Sequence, residues 1–273
     1  MPEDAEVFYE TYQEKLEAFG SNDVVRKQIT ELNEKVEIPF SYYLGYSSES
    51  MDYLTLYLMM IMLAFAIITA PLFSAEYQTG ADSILRCTKH GRMRLAVTKI
   101  AVAVLLFLVT FAAGIAVFLL VTNLAFGMDG LKTSVQLLNY IYVIPALTVE
   151  QTQAITVLAG MITVFAALSC TLFLSARCRN VQTSMMMAFL LCILPIIIYM
   201  MSSANLADII RCVLPTGGLG LMNSFLYELL GRNFVQIGSE TIWTPYLMIA
   251  AELVEIPVLL GMTVRTYCKR DAV

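Results

Sequence analysis

Glu252 and Glu255 are the two side chains best placed to do chemistry in this chain. They sit in the stretch Trp243 to Val264, which is otherwise strongly apolar. A spacing of three puts both carboxyls on one face of a helix. An ionised carboxylate inside a bilayer costs about 2.5–3.5 kcal/mol or more, so it faces protein or a cavity. Two readings stay open. Either the pair is an intramembrane polar site, a proton relay or a substrate contact, or both lie towards the outer third of a span, hydrated or bonded to neighbouring helices. Basic residues in the spans are few, and none can be named as an ion-pair partner.

Other chemistries lack their residues. His90 is the only histidine, which excludes a His-Glu-x-x-His zinc site; it reads as a solvated turn residue. None of the fourteen glycines is followed by lysine, so the chain has no Gly-x-x-x-x-Gly-Lys-Ser/Thr phosphate loop. No nucleophile–base pair or metal-ligand cluster is legible, and neither an enzyme nor a bound metal is expected. The six cysteines include no Cys-x-x-Cys pair. Cys87, Cys170, Cys178, Cys192 and Cys268 fall in spans or basic loops and Cys212 in an acidic loop, so they read as small apolar fillers rather than a disulfide framework.

The elements that carry these residues follow from charge spacing. Only 14% of the 273 residues are charged and 58% are hydrophobic, against about 25% charged in a soluble domain. Runs of 23, 29, 26 and 28 residues carry no charge, at Tyr53–Ala75, Ile100–Met128, Gln151–Ala176 and Asn180–Ala207. A helix needs about 20 apolar residues to cross the hydrocarbon core. Each run therefore holds one span, and Trp243–Val264 makes a fifth. Strict apolar–polar alternation is absent, which argues against a barrel. The expectation is an all-α polytopic membrane protein with spans near 54–73, 100–123, 153–174, 183–202 and 243–264.

Residues 1–50 differ, with eleven acidic and four basic residues. Phe8, Tyr12, Leu16 and Phe19 recur at helical spacing, as do Val25, Ile29, Leu32 and Val36. Gly20 between them and Pro39 after them predict a pair of antiparallel helices. Phe40, Tyr42, Tyr43 and Tyr46 suit a membrane interface. The segments 75–99, 176–182 and 265–273 carry ten basic residues in 41 positions, whereas 1–52, 124–152 and 203–242 carry seven in 121. The positive-inside rule places the first set in the cytoplasm, the C-terminus with it, and the acidic segment 1–50 outside. Five spans with an external N-terminus predict a further span upstream of Met1. The external loop 203–242 contains the turn-rich Leu214–Gly220 and then Leu221, Phe225 and Leu229, which predict a short helix at the outer surface.

The segment Phe73 to Lys99 resembles the loop after the second span of type-2 ATP-binding-cassette exporter permeases. Phe73, Glu76, Gly80, Ile84, Leu85, Arg92 and Lys99 sit at matching places, whereas Ala81 replaces the usual Thr and Lys89-His90 the common Pro. The resemblance runs over about residues 50–273, through the ending Lys269-Arg270-Asp271. It implies a permease domain over 51–273, six spans per subunit, a second permease subunit, and a separate cytoplasmic subunit that binds and hydrolyses ATP. Membrane lipid is then the surrounding partner, nucleic acid is not one, and the cargo is a drug, peptide or lipid-like compound. Residues 76–87 would form a short coupling helix, with Glu76, Gly80, Ile84, Leu85 and Arg92 meeting the ATPase; alternatively the basic residues of 76–99 only set topology. A proton-coupled carrier using Glu252 and Glu255, or a non-transporting immunity or sensor component, are the competing functions.

Smaller signals concern packing. Pro71, Pro195 and Pro257 predict kinks. Gly114 and Gly160 permit close helix contacts. Met59, Met60, Met62 and Met185–Met187 read as lipid- or helix-facing residues.

Overall fold

The computed structural model describes residues 23–33, 36, 40–81, 91–138, 143–220, 223–231, 233–238 and 240–269. In chain order the elements are α1 (Asp23–Asn33), α2 (Ser48–Thr69), α3 (Pro71–Thr79), α4 (Gly91–Phe126), α5 (Val149–Arg177), α6 (Val181–Met201), α7 (Asn205–Val213), α8 (Phe225–Leu230), β1 (Phe234–Ile237), β2 (Glu240–Trp243) and α9 (Thr244–Lys269). Among the described residues five helical segments are long and apolar enough to cross a membrane: α2 with α3, α4, α5, α6 and α9. The chain is an all-α polytopic membrane protein, and the five segments coincide with the expected spans. The first span, α4 and α9 run well past their apolar runs, because intrahelical hydrogen bonding continues into polar flanking turns. The end of the bundle carrying Arg92, Arg177 and Lys269 is the basic end.

Helix α5 is the centre. It packs against α2, α3, α6 and α9, and its buried face includes Val164, Ala167, Leu168 and Leu172. A capping box starts it: the Thr148 hydroxyl accepts the Gln151 N–H at 3.3 Å, and Gln151 Oε1 accepts the Thr148 N–H at 3.1 Å. Apolar spans gain little from hydrophobic association in lipid, so small residues that allow close packing matter more. A Cβ on Gly160 would stand 2.7 Å from the Leu58 side chain, and one on Gly114 2.7 Å from the Tyr57 hydroxyl. Both glycines therefore serve packing. Helix α4 turns Val102, Leu105, Val109, Val117 and Val121 outward, the arrangement of a lipid-facing helix.

Pro71 divides the first span. Proline has no N–H and fits the first turn of a helix, so α2 stops and α3 starts afresh from Ala70. The exposed backbone groups are satisfied by neighbouring spans. The Ser175 hydroxyl of α5 accepts the N–H groups of Phe73 at 2.9 Å and Ser74 at 3.2 Å. The Ala70 carbonyl accepts the hydroxyls of Ser74 at 2.9 Å and of Ser184 on α6 at 2.8 Å. Broken helices persist in membranes where side chains supply such partners.

At the opposite end, Val25 and Ile29 of α1 pack with Phe40 and Ile144, as the helical spacing predicts. The companion helix expected around Phe8–Phe19, with Gly20 and Pro39, lies outside the described residues. Segment 203–242 departs from expectation in two ways. It contains a hairpin, β1 paired antiparallel with β2 from Phe234↔Trp243 to Ile237↔Glu240, with Gly238 at φ 65° in the turn. It is also not confined to the surface: Phe225 and Leu229 of α8 are buried with Ala159, Trp243 and Met248, while Leu221 lies outside the described residues.

Candidate functional site

The stretch Pro215–Gly220 is buried and non-helical. Leu219 joins the main core beside Leu58, Met62, Phe65, Val164 and Leu168. The segment expected as an external turn thus re-enters the bundle. Irregular backbone at that depth is tolerated only when buried in protein or lining a cavity, and its polar groups are accordingly engaged. Gly217 N–H donates to the Leu214 carbonyl at 2.8 Å, and Phe225 N–H to that of Gly218 at 2.8 Å. The Thr216 hydroxyl donates to the Leu191 carbonyl at 2.8 Å. Leu191 lies four residues before Pro195, whose missing N–H would otherwise leave that carbonyl unpaired.

Glu252 meets this segment. It is fully buried, and with a rise of about 1.5 Å per residue it lies about 12 Å inside α9 from Thr244. A Cβ on Gly218 would stand 3.2 Å from Glu252 Oε1 and would collide with the Thr163 hydroxyl of α5. Only glycine lets the backbone approach both. Thr163 already donates its hydroxyl to the Ala159 carbonyl at 3.1 Å. Neither carboxyl oxygen of Glu252 has a hydrogen-bond partner of good geometry among the described residues. One turn on, Glu255 is partly buried, and its Oε2 is likewise without a partner there. The expected shared face is present, but the two are not equivalent: Glu252 points into the protein between α5 and the re-entrant segment. Glu252 is therefore shielded from bulk solvent by the buried loop that covers it.

A charged clamp holds the loop in place, and the sequence reading missed it. Arg211 of α7 and Glu228 of α8 are both buried. Arg211 Nη1 lies 2.8 Å from Glu228 Oε1 in an ion pair without hydrogen-bond alignment, and Nε donates to Asp208 at 2.8 Å. Glu228 Oε2 accepts the Thr244 hydroxyl at 2.6 Å and the Asn233 amide at 3.0 Å. The clamp therefore joins α7, α8 and the first residue of α9 around the ends of the re-entrant stretch. Burial opposes the charge on Arg211, but Glu228 and Asp208 outweigh it and raise its pKa. Burial pushes the neighbouring Cys212 thiol up to about 12, with Arg211 opposing. The available signal was that Arg211 is one of two basic residues in 203–242.

Comparison of the chain with protein-family models, with curated proteins and with solved structures finds no match.

The second candidate site lies at the basic end. Helix α3 stops at Thr79, with Gly80 left-handed at φ 71°. Glu76 belongs to the end of the first span, and left-handed Gly80 interrupts the helix expected over 76–87, of which 82–87 lie outside the described residues. Glu76 forms an ion pair with Lys99 of α4 and accepts the Tyr267 hydroxyl of α9 at 3.2 Å. Lys99 also donates to the Leu72 carbonyl at 2.8 Å. Glu76, Lys99 and Tyr267 thus tie three spans together. Arg92, exposed at the start of α4, reaches the Cys268 carbonyl at 3.5 Å. Ile84 and Leu85 lie outside the described residues, as do Cys87 and His90. No group of three or more His, Cys, Asp or Glu side chains is arranged to hold a metal among the described residues.

Proposed function

We propose that the chain is the membrane-spanning permease subunit of an ATP-driven exporter of the ATP-binding-cassette type. It would act in a bacterial plasma membrane, with its basic end and C-terminus cytoplasmic. A separate cytoplasmic subunit would hydrolyse ATP, and a second permease subunit would complete the pathway for a drug, peptide or lipid-like cargo. The observation that carries this reading is the tie at the base of α3. Glu76 couples the last turn of a span already broken at Pro71 to α4 and α9. Force applied to the 80–91 segment would reach three spans at once, while the break lets α3 tilt against α2. Two-state transporters need such rigid-body levers.

The test is affinity purification from native membranes in mild detergent, with mass spectrometry and an ATPase assay. Wild type should retain an ATPase subunit, and the Ile84→Asp/Leu85→Asp variant should lose it while staying monodisperse. Wild type that retains no ATPase would sink this reading.

The proton-coupled carrier is the second reading, favoured by the fully buried Glu252, whose carboxyl oxygens have no hydrogen-bond partner of good geometry among the described residues. It requires the chain alone, in proteoliposomes under an imposed pH gradient, to move its cargo, and Glu252→Gln to abolish that movement. Transport that depends on ATP would dismiss it.

A further inference from the structure

A cleft of about 640 Å³ opens between α5 and α9 at the basic end, lined by Phe173, Arg177, Met262, Arg265, Thr266 and Lys269. On α5, Phe173 and Arg177 are one turn apart; on α9, positions 262, 265, 266 and 269 follow the i, i+3, i+4, i+7 pattern of a single face. The order along both helices is the same. The apolar side chains, Phe173 and Met262, lie deeper in the bundle. The cations follow towards the helix ends, and Arg177 and Lys269 are the last residues of α5 and α9. Arg177, Arg265 and Lys269 are exposed, and among the described residues no acidic side chain lines the cleft.

This gradient matches one molecule of the surroundings. A phospholipid places its phosphate at the interface and its acyl chains beside the apolar depth. We propose that this cleft is a binding site for an anionic membrane phospholipid, with Arg177, Arg265 and Lys269 around the headgroup and Phe173 and Met262 against the upper acyl chain. Guanidinium groups suit phosphate because their planar donors match its oxygens, and basic pockets between spans are places where anionic headgroups dwell. The Thr266 hydroxyl adds a neutral donor between the cations. The inference requires only that the chain is embedded in a bilayer, and is independent of whether it works with an ATPase.

Native mass spectrometry of the full chain in detergent, titrated with phosphatidylglycerol or phosphatidylcholine of the same acyl chains, tests this. Phosphatidylglycerol should bind about tenfold more tightly, and Arg265→Ala/Lys269→Ala should remove most of that difference. Arg94→Ala, an exposed cation on α4 outside the cleft, should leave it intact. Glycerol phosphate, which has the headgroup chemistry without acyl chains, should compete weakly. Equal binding of the two lipids by wild type would overturn the proposal whatever the variants do. An equal loss in Arg94→Ala would reduce the effect to general surface charge. Full competition by glycerol phosphate would show a phosphate site rather than a lipid site.

Discussion

The Thr216 hydroxyl donates to the Leu191 carbonyl at 2.8 Å, the acceptor that Pro195 leaves unpaired within α6. A proline in one span thereby fixes the re-entrant segment that covers Glu252. Thr216→Val keeps the shape and removes the donor, which should cost about 1–3 kcal/mol. In a Pro195→Ala background the helix supplies its own N–H, so the same substitution should cost distinctly less. Unfolding of the four proteins in mixed micelles gives the coupling. Additive effects would show that Thr216 does not serve this carbonyl.

The break at Pro71 depends on one hydroxyl. Ser175 serves the N–H groups of both Phe73 and Ser74. Ser175→Ala should destabilise the protein by about 1–3 kcal/mol by leaving buried donors without acceptors. Hydrogen exchange at Phe73 and Ser74 should rise selectively. Unchanged protection at those two amides would contradict the assignment.

Gly218 has no room for a side chain beside Thr163 and Glu252. Gly218→Ala should lower stability by about 1–3 kcal/mol through overpacking. Thr163→Ala should recover part of that loss, since neighbours sharing a contact are non-additive. Thermal unfolding followed by a thiol-reactive dye reports both variants, and a Gly218→Ala protein as stable as wild type would refute the close approach.

Arg211 and Glu228 form a buried pair. Arg211→Ala strands the Glu228 carboxylate and should cost about 3–5 kcal/mol. Arg211→Met with Glu228→Leu removes both charges and should fold better than Arg211→Ala alone. Chemical unfolding of the three proteins ranks them, and a double variant worse than the single one would contradict this account.

Cys212 is buried and its thiol is pushed up to about 12. The thiol therefore carries the proton at neutral pH, and thiolate accumulates only as the pH approaches that value. At pH 7.5 iodoacetamide should modify Cys212 far more slowly in the folded protein than after denaturation, with the site assigned by peptide mass mapping. Rapid labelling of the folded protein would show that α7 opens.

The sequence alone determined the class and the span positions, because a bilayer demands about 20 uncharged residues per crossing and charge-free runs mark them directly. It also singled out Glu252, since a carboxyl amid apolar residues is visible without coordinates. Gly114 and Gly160 were legible as contact points for the same reason of local chemistry. Tertiary structure decided the rest. A Pro-Gly-rich stretch reads the same whether it turns in water or re-enters a bundle; only packing against Thr163 and Glu252 and into the main core places Pro215–Gly220 inside. The carboxyl of Glu76 meets Lys99 and Tyr267, which no helical periodicity brings together. Likewise Ser175 and Thr216 look like unremarkable small polar residues until the backbone groups that Pro71 and Pro195 disturb come within hydrogen-bonding distance. Periodicity reports which face of a helix is apolar. It does not report which neighbouring helix meets that face.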